Sequence, residues 1–344
     1  MYRTPRVTTH KGIAFSSNNQ EALDTLLISN NLISSQSIVS RLAPTPSGYL
    51  HLGNAFSFIL TWLLVRRLGG KLHLRIDDLD APRLNQDCLE DIFIQLEWLG
   101  LDYDTGPYGP GDHMRHFSQS LRLGEYMSAL KEIRESGMLY ACSCSRKQYL
   151  SKSKNGQYPG TCREKKLDFN QPGMAWRFRS ETEISPENID LLVGSQEENQ
   201  FPFLGDAIMR RKDGLPSYQI ASLVDDLKNQ CSLIVRGMDL FPSTHFQISI
   251  AEKMAWQEFN EISFVHHPLL KDSFGKKLSK SEAALSLKTL RKEKSEPDFI
   301  YRGVARLLDL PVDEIEDLKS LQQIFASIPL EKLNHRKLKD LTIF

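Results

Sequence analysis

Apolar and polar positions along residues 38–76 alternate in a way that predicts a strand, a helix and a second strand. The first strand is predicted near residues 38–42 and the helix over residues 55–68. Residues 72–76 then alternate between aliphatic and polar side chains, which is the period-two pattern of a strand. Because two strands connected by a helix form a βαβ unit, we predict an α/β fold with a parallel sheet.

The rest of the chain repeats both kinds of element around a less regular centre. The remaining predicted elements are helices over residues 84–99, 118–136 and 244–256, regular elements over residues 218–225 and 232–235, and two or three helices after residue 297. Residues 140–200 lose this periodicity and are interpreted as an insertion that splits the sheet. The predicted organisation is a polar arm (1–39), the first half of the sheet domain (40–139), the insertion (140–200), the second half (201–294) and a helical C-terminal segment (295–344).

The composition is that of an ordinary globular protein. The chain has 344 residues, of which 40% are hydrophobic, and its 43 lysines and arginines balance 43 aspartates and glutamates. These values exclude a disordered polyelectrolyte, a collagen-like repeat and a small disulfide scaffold. The longest apolar stretch without a charge, residues 55–65, is too short to span a bilayer, and no apolar signal segment follows Met1. We therefore expect a cytoplasmic protein with no membrane partner.

The neutral total hides an uneven distribution of charge. Residues 77–104 contain nine acidic side chains and one basic one, whereas residues 271–294 contain eight basic and three acidic side chains. Solvated surfaces would explain both segments. The second segment would equally serve as an anion-binding site, because affinity for anions follows the local density of lysine and arginine.

Two separate loops carry residues that are suited to binding phosphate. His51 and Gly53 lie at or just before the start of the predicted helix, where free backbone N–H groups and the helix dipole attract anions. Lys277 and Lys280 lie in a loop that follows Gly275, and such a loop can close over a triphosphate. Taken alone, the two patterns also fit an ordinary βα loop with a surface histidine and a basic surface turn.

The residues around these loops resemble the signature motifs of class I aminoacyl-tRNA synthetases. Arg41–Gly48, which reads RLAPTPSG, runs into HLGN at His51–Asn54 and is similar to the HIGH region of the glutamyl branch. Arg75–Arg83 resembles the next motif of that branch, and KLSKS at Lys277–Ser281 resembles the KMSKS motif. The resemblance implies a Rossmann-like parallel sheet split by a zinc-containing insertion, with a helical C-terminal segment.

This resemblance also implies an activity and a set of site residues. The enzyme would be a ligase that uses ATP with Mg²⁺ to form an aminoacyl-adenylate, with His51 and Lys280 as catalytic residues. The residues implied in ATP binding are His51, Gly53, Asn54, Lys277 and Lys280. The residues implied in glutamate binding are Arg41, Leu42, Ala43, Pro44, Thr45, Asp77, Tyr218 and Arg236. An arginine fork and a phenol suit a glutamate carboxylate, but Asp77 is one methylene shorter than the glutamate that the family has there.

The cysteines are concentrated in the predicted insertion. Three of the five lie within residues 142–162, where Cys-Ser-Cys is followed after 13 residues by Tyr-Pro-Gly-Thr-Cys. Thiolates suit Zn²⁺, although buried cysteines also fit an apolar core. The spacing resembles the zinc pattern of the glutamyl-Q tRNA(Asp) synthetase subfamily. The structural Zn²⁺ ligands that it implies are Cys142, Cys144, Tyr158 and Cys162. The other two cysteines, Cys88 and Cys231, are predicted to be core residues.

The length of the chain after the second loop bears on the choice among relatives. Only 63 residues follow Ser281, which we expect to be too few for the anticodon-reading region of a glutamyl-tRNA synthetase. The resemblance therefore implies a monomer that activates L-glutamate and transfers it to the queuosine base of tRNA(Asp). Two alternatives stay open at this point: a glutamate–tRNA ligase that charges the 3′ end of tRNA(Glu), and a non-catalytic relative that binds RNA or nucleotide.

Overall fold

The computed structural model of the protein describes residues 37–79, 85–151, 153, 157–180, 204–268 and 286–328. The predicted polar arm lies outside this part of the chain except for its last three residues. The predicted KLSKS loop, with Lys277 and Lys280, lies wholly outside it. The same holds for residues 181–200 of the predicted insertion.

The described elements follow one another in chain order. The strands are β1 (Val39–Leu42), β2 (Lys71–Leu74), β3 (Leu139–Cys142), β4 (Ala175–Phe178), β5 (Ile208–Arg210), β6 (Leu233–Gly237) and β7 (Ser263–His267). The α-helices are α1 (Leu52–Arg67), α2 (Gln86–Trp98), α3 (Pro110–Asp112), α4 (Leu123–Glu135), α5 (Arg146–Leu150), α6 (Tyr218–Lys228), α7 (Phe241–Met254), α8 (Gln257–Asn260), α9 (Leu287–Glu293), α10 (Asp298–Leu307) and α11 (Leu318–Ser327). Shorter helical turns are a π-helix (His113–Phe117) and 3₁₀-helices (Gln119–Arg122, Met238–Leu240 and Val312–Glu314).

Two parallel strand pairs form the central sheet. β1 pairs with β2, and β6 pairs with β7. Ser232 joins the two pairs, because its N–H donates to the Val39 carbonyl at 2.9 Å while its Oγ accepts from the Val39 N–H at 3.0 Å. The strand order is therefore β2–β1–β6–β7, and the predicted parallel sheet is confirmed.

Helix α1 is buried around most of its circumference. It contacts strands β1, β2 and β6 as well as helices α10 and α11. A Cβ atom on Gly303 would lie only 2.6 Å from Cζ of Phe56, so α10 approaches α1 more closely than an alanine would permit. This sandwich explains why residues 55–65 are apolar without a polar face: the helix has neighbours on both sides. In the described part of the chain, no helix has the length and apolarity needed to cross a membrane.

A second sheet is antiparallel, in the order β3–β4–β5. All residues of β3 and β4 are buried. Leu139 and Phe178 from this sheet share one apolar cluster with Ile234 and Phe264 from the parallel sheet. The sheet is thus packed onto the second half of the parallel sheet. The antiparallel sheet begins at Leu139, and its third strand lies beyond residue 200. The domain boundaries at residues 140 and 200 stay predictions.

The helix predicted over residues 118–136 is interrupted near its start. Residues Gln119–Arg122 form a 3₁₀ turn, and α4 begins only at Leu123. The side chain of Ser118 accepts the N–H of Ser120 at 3.2 Å, and the Arg122 guanidinium donates to the Phe117 carbonyl at 2.8 Å. These side-chain hydrogen bonds compete with the regular helical pattern and tighten the first turn.

Candidate active site

The parallel strands carry charged residues at or just beyond their carboxyl ends. Arg41 lies in β1, Asp77 follows β2 by three residues, and Arg236 is the penultimate residue of β6. In open α/β sheets this edge is where ligands bind. The structure therefore brings together three of the residues predicted to bind glutamate.

The predicted binding loop, residues 42–45, continues from β1 along the segment that follows β2. The carbonyl of Pro44 accepts the N–H of Asp77 at 2.9 Å. Leu42 and Pro44 are buried, whereas Thr45 is exposed. The backbone thus holds this loop beside Asp77.

Asp226 of α6 gathers three arginines from separate parts of the chain. Its Oδ1 accepts from Arg41 Nε at 2.9 Å and from Arg75 Nη1 at 2.6 Å, while its Oδ2 lies 3.6 Å from Arg236 Nη2. All four side chains are buried. Burial by itself would raise the pKa of Asp226, but the positive charges of Arg75, Arg41 and Arg236 lower it to about 2. Asp226 is therefore an anion around which the arginines are arranged.

Arg75 connects Asp226 to Asp77. Its Nε donates to Asp77 Oδ1 at 2.7 Å and its Nη2 to Asp77 Oδ2 at 3.2 Å, a bidentate arrangement. Gln119 donates to Asp77 Oδ1 from the other side at 3.5 Å. The Asp77 side chain is 10% exposed, and burial raises the pKa of this carboxyl group. Both oxygens of Asp77 are therefore already oriented by neighbours.

Arg236 keeps part of its hydrogen-bonding capacity free. Its Nη1 donates to Thr244 Oγ1 at 3.1 Å and to Gln247 Oε1 at 2.9 Å. Its Nε and Nη2 are buried and make no hydrogen bond within the described residues, although Nη2 lies 3.6 Å from Asp226 Oδ2. The phenol of Tyr218, the first residue of α6, is close enough to interact electrostatically with Arg236 and is 40% exposed. Because unpaired buried donors are rare, the two nitrogens indicate a place for an acceptor.

The His51 loop forms the N-terminus of α1, as predicted. His51 is the N-cap, and its N–H donates to Asn54 Oδ1 at 3.0 Å. A Cβ atom at position 53 would lie 2.9 Å from Cε1 of His51. The imidazole thus lies against Gly53, and any larger residue there would displace it. Glycine at position 53 therefore accommodates the imidazole of His51 in this position.

The chain that follows the KLSKS segment re-enters the described structure beside His51. Ser286 forms an antiparallel bridge with His51, and the Leu287 N–H donates to the Leu50 carbonyl at 2.7 Å. Lys288 donates from Nζ to the Tyr49 hydroxyl at 2.6 Å. The positions of Lys277 and Lys280 themselves lie outside the described residues, so their roles stay predictions.

The predicted zinc ligands converge at the end of β3. The sulfur atoms of Cys142, Cys144 and Cys162 all lie within 4.8 Å of one another. The Tyr158 hydroxyl lies 3.3 Å from the Cys142 sulfur and 3.7 Å from the Cys144 sulfur. Residues up to 20 positions apart in the sequence thus meet at one point, where the phenol and the three thiols could surround an ion.

The chemistry of this group fits Zn²⁺. Three thiols and a phenol supply three sulfur donors and one oxygen donor, four in all, the number that a tetrahedral structural zinc site uses. Burial would raise the pKa of Cys162, but hydrogen bonds with Tyr158, Ser143 and Cys144 lower it to about 6. By contrast, Cys88 and Cys231 are buried away from the group, as predicted for core residues.

Sequence reasoning missed two residues at the centre of the site. Arg75 and Asp226 are not among the residues predicted for the site. The sequence holds a signal for Arg75, which stands between Leu74 and Ile76 at the end of a buried strand. A charged residue at such a position needs a buried partner, but the pattern does not identify that partner.

Charged side chains at the carboxyl edge of a parallel sheet, beside the N-terminus of a helix, define the ligand-binding edge of an open α/β protein. Residues 37–339 match the family described as tRNA synthetases class I (E and Q), catalytic domain. The chain belongs to this family of ligases.

Individual relatives carry two kinds of name. A glutamyl-Q tRNA(Asp) synthetase of Nitratidesulfovibrio vulgaris is 34% identical, over 74% of this chain and 81% of its own length. A glutamate–tRNA ligase of Anaeromyxobacter sp. (strain Fw109-5) is 35% identical over 78% of this chain, which spans 57% of that protein. The crystal structure of a glutamate-tRNA synthetase from Elizabethkingia anophelis has the same fold, with a TM-score of 0.66 at 23% identity, covering 86% of this chain and 66% of its own.

Proposed function

We propose that the protein activates L-glutamate with Mg²⁺·ATP to glutamyl-adenylate and transfers the glutamyl group to the queuosine base of tRNA(Asp). The observation that carries the first half of this proposal is that two buried donors of Arg236, Nε and Nη2, make no hydrogen bond within the described residues. Nε and Nη2 form the fork that binds a carboxylate in bidentate fashion. The acceptor RNA is proposed from the name of the glutamyl-Q relative and from the cysteine group.

The charges around Asp226 support an acidic amino acid. Three arginines, Arg41, Arg75 and Arg236, face two carboxylates, Asp77 and Asp226, so the group carries one net positive charge. Glutamate carries one net negative charge at neutral pH and would neutralise the group. Glutamine would leave a buried positive charge uncompensated, which is unfavourable.

The proposed adenylation needs positioning and charge stabilisation rather than a protein base. The α-carboxylate of glutamate attacks the α-phosphorus of ATP, a new O–P bond forms, and pyrophosphate leaves. A carboxylate is already ionised at neutral pH, so no proton has to be removed. His51 and the N–H groups near Gly53 and Asn54 would contact phosphates, while Lys277 and Lys280 would neutralise the leaving group. The glutamyl group then passes to the queuosine base, and AMP leaves.

Zn²⁺ is proposed as a structural ion of the antiparallel sheet. Cys142, Cys144, Tyr158 and Cys162 would hold it. Four protein ligands leave no open coordination position, so the ion would stabilise this part of the fold and take no part in the chemistry. The site lies at the end of β3.

Charging of tRNA(Glu) is the second candidate, because the Anaeromyxobacter relative of similar identity is named a glutamate–tRNA ligase. The two functions share the adenylation step and differ in the acceptor. An experiment that compares acceptor RNAs is therefore needed to distinguish the two functions.

The test has two steps. Glutamate-dependent exchange of pyrophosphate into ATP is measured first without tRNA, with Lys280→Ala as a variant that we expect to be slower by about 100-fold while it remains folded. Transfer of labelled glutamate is then compared among queuosine-containing tRNA(Asp), queuosine-free tRNA(Asp) and tRNA(Glu). Labelling of the first RNA alone supports the proposal. Labelling of tRNA(Glu) would favour the second candidate, and absence of exchange would contradict both.

A further inference from the structure

Two residues at the centre of the candidate site have no role in the proposed chemistry, yet together they contact the three charged residues proposed to bind glutamate, Arg41, Asp77 and Arg236. Asp226 accepts from Arg41 at 2.9 Å and lies 3.6 Å from Arg236. Arg75 holds both oxygens of Asp77. The two residues are joined to each other by the 2.6 Å contact between Arg75 Nη1 and Asp226 Oδ1.

We infer that the Arg75–Asp226 ion pair is a positioning pair that orients both ends of the amino-acid site. It would fix the orientation of Arg41 and Arg236, which would receive carboxylate groups of the substrate. It would also fix the orientation of Asp77, which would face the substrate's ammonium group. This inference rests on the proposed function, because it presupposes that glutamate binds at this site.

Stability alone does not account for the arrangement. Buried ion pairs are weak stabilisers, because the cost of removing two charges from water largely offsets their attraction. Here three guanidinium groups crowd around one carboxylate, and every one of these side chains is at most 5% exposed. Such crowding is costly for folding, and it is useful where several charges must be held at fixed positions before a ligand arrives.

The geometry also explains why an arginine is required at position 75. Its guanidinium uses Nε and Nη2 for Asp77 and Nη1 for Asp226, and Nη2 lies 3.3 Å from Ser222 Oγ. The rigid fork thus fixes the angle between the two carboxylates. A lysine would keep the charge but could not hold both carboxylates in this way.

The same helix provides a matched control. Asp225, which precedes Asp226 in the chain, is also completely buried and is held by a bidentate arginine, Arg122, through Nε and Nη2 at 3.0 Å each. Arg122 contacts none of the residues proposed to bind glutamate among those described. Arg75→Lys and Arg122→Lys therefore each remove one bidentate fork, from Asp77 and from Asp225 respectively, and only Arg75 directly contacts a residue proposed to bind glutamate.

The experiment measures pyrophosphate exchange at varied glutamate and at varied ATP for the full-length protein and three variants, Arg75→Lys, Asp226→Asn and Arg122→Lys. We expect the first two to raise KM for glutamate by about tenfold or more, with KM for ATP within about twofold of the unsubstituted protein. We expect Arg122→Lys to lower the thermal midpoint while KM for glutamate stays within about twofold. Arg75→Lys keeps the test decisive if Asp226→Asn does not fold.

Two results would overturn the inference. One is an unchanged KM for glutamate in folded Arg75→Lys. The other is an equal rise of this KM in Arg122→Lys, which would mean that the loss of any buried arginine fork in this region has the same effect. Failure of the proposed function is distinguishable from both, because the unsubstituted protein would then show no glutamate-dependent exchange at all.

Discussion

Replacing Arg236 by lysine tests the carboxylate fork directly. Lysine keeps the positive charge next to Asp226 and loses the planar pair of donors, Nε and Nη2, which make no hydrogen bond among the described residues. A hydrogen bond to a charged group contributes about 1.5–3 kcal/mol, and the ammonium group of lysine would recover part of the two that are lost. We therefore expect Arg236→Lys to lose about 2–4 kcal/mol of transition-state stabilisation, or about 30- to 800-fold in kcat/KM for glutamate.

The assay is pyrophosphate exchange at varied glutamate, with KM for ATP and the thermal midpoint as controls. Burial lowers the pKa of Arg236, because it disfavours the charged guanidinium. The nearby acceptors stabilise the charged form. A change in KM for ATP as large as that for glutamate would indicate general disruption. A folded Arg236→Lys variant with kcat/KM for glutamate within about threefold of the unsubstituted protein would refute the reasoning, because the free donors would then have no acceptor in the substrate.

Three further outcomes follow from other parts of the structure. Cys162→Ser should reduce bound zinc from about one atom per chain to a small fraction, measured by elemental analysis after dialysis, and full retention would contradict the proposed site. His73 has its pKa lowered from 6.5 to about 4 by burial and by the charges of Arg75 and Arg122. As the pH falls from 6.5 towards 4, only the unfolded state binds a proton on this histidine, so the free energy of unfolding decreases in that range. His73→Gln should therefore recover about 2 kcal/mol of the free energy of unfolding at pH 4. Equal pH profiles of the two proteins in urea denaturation would contradict this. Gly106 has φ +123°, and a Cβ there would lie 2.5 Å from the Leu74 carbonyl oxygen. Gly106→Ala should therefore lower the free energy of unfolding, measured by urea denaturation, by about 3 kcal/mol. A decrease below about 1 kcal/mol would show that the loop adapts.

Short-range patterns predicted the local structure well. The alternation of residues 72–76 predicted a strand that is observed as β2, and the position of His51 before an apolar run predicted a helix N-terminus that is observed at α1. The 3₁₀ turn before α4 was not predicted, because it depends on side-chain hydrogen bonds of Ser118 and Arg122 that do not follow from hydrophobic periodicity. Element boundaries are decided by such local contacts.

The sequence by itself determined the parallel α/β core, the position of the histidine–glycine loop and the spacing that allows the cysteines to meet. These features depend on residues close together in the chain, where helix and strand geometry leave few alternatives. Only the tertiary structure decided which buried charges face one another. Arg41 and Asp226 are 185 positions apart, and any buried arginine could have paired with any buried aspartate as far as composition is concerned. Their pairing follows from the packing of α6 against the edge of the sheet, because a buried charge is stable only where the fold brings an opposite charge to it.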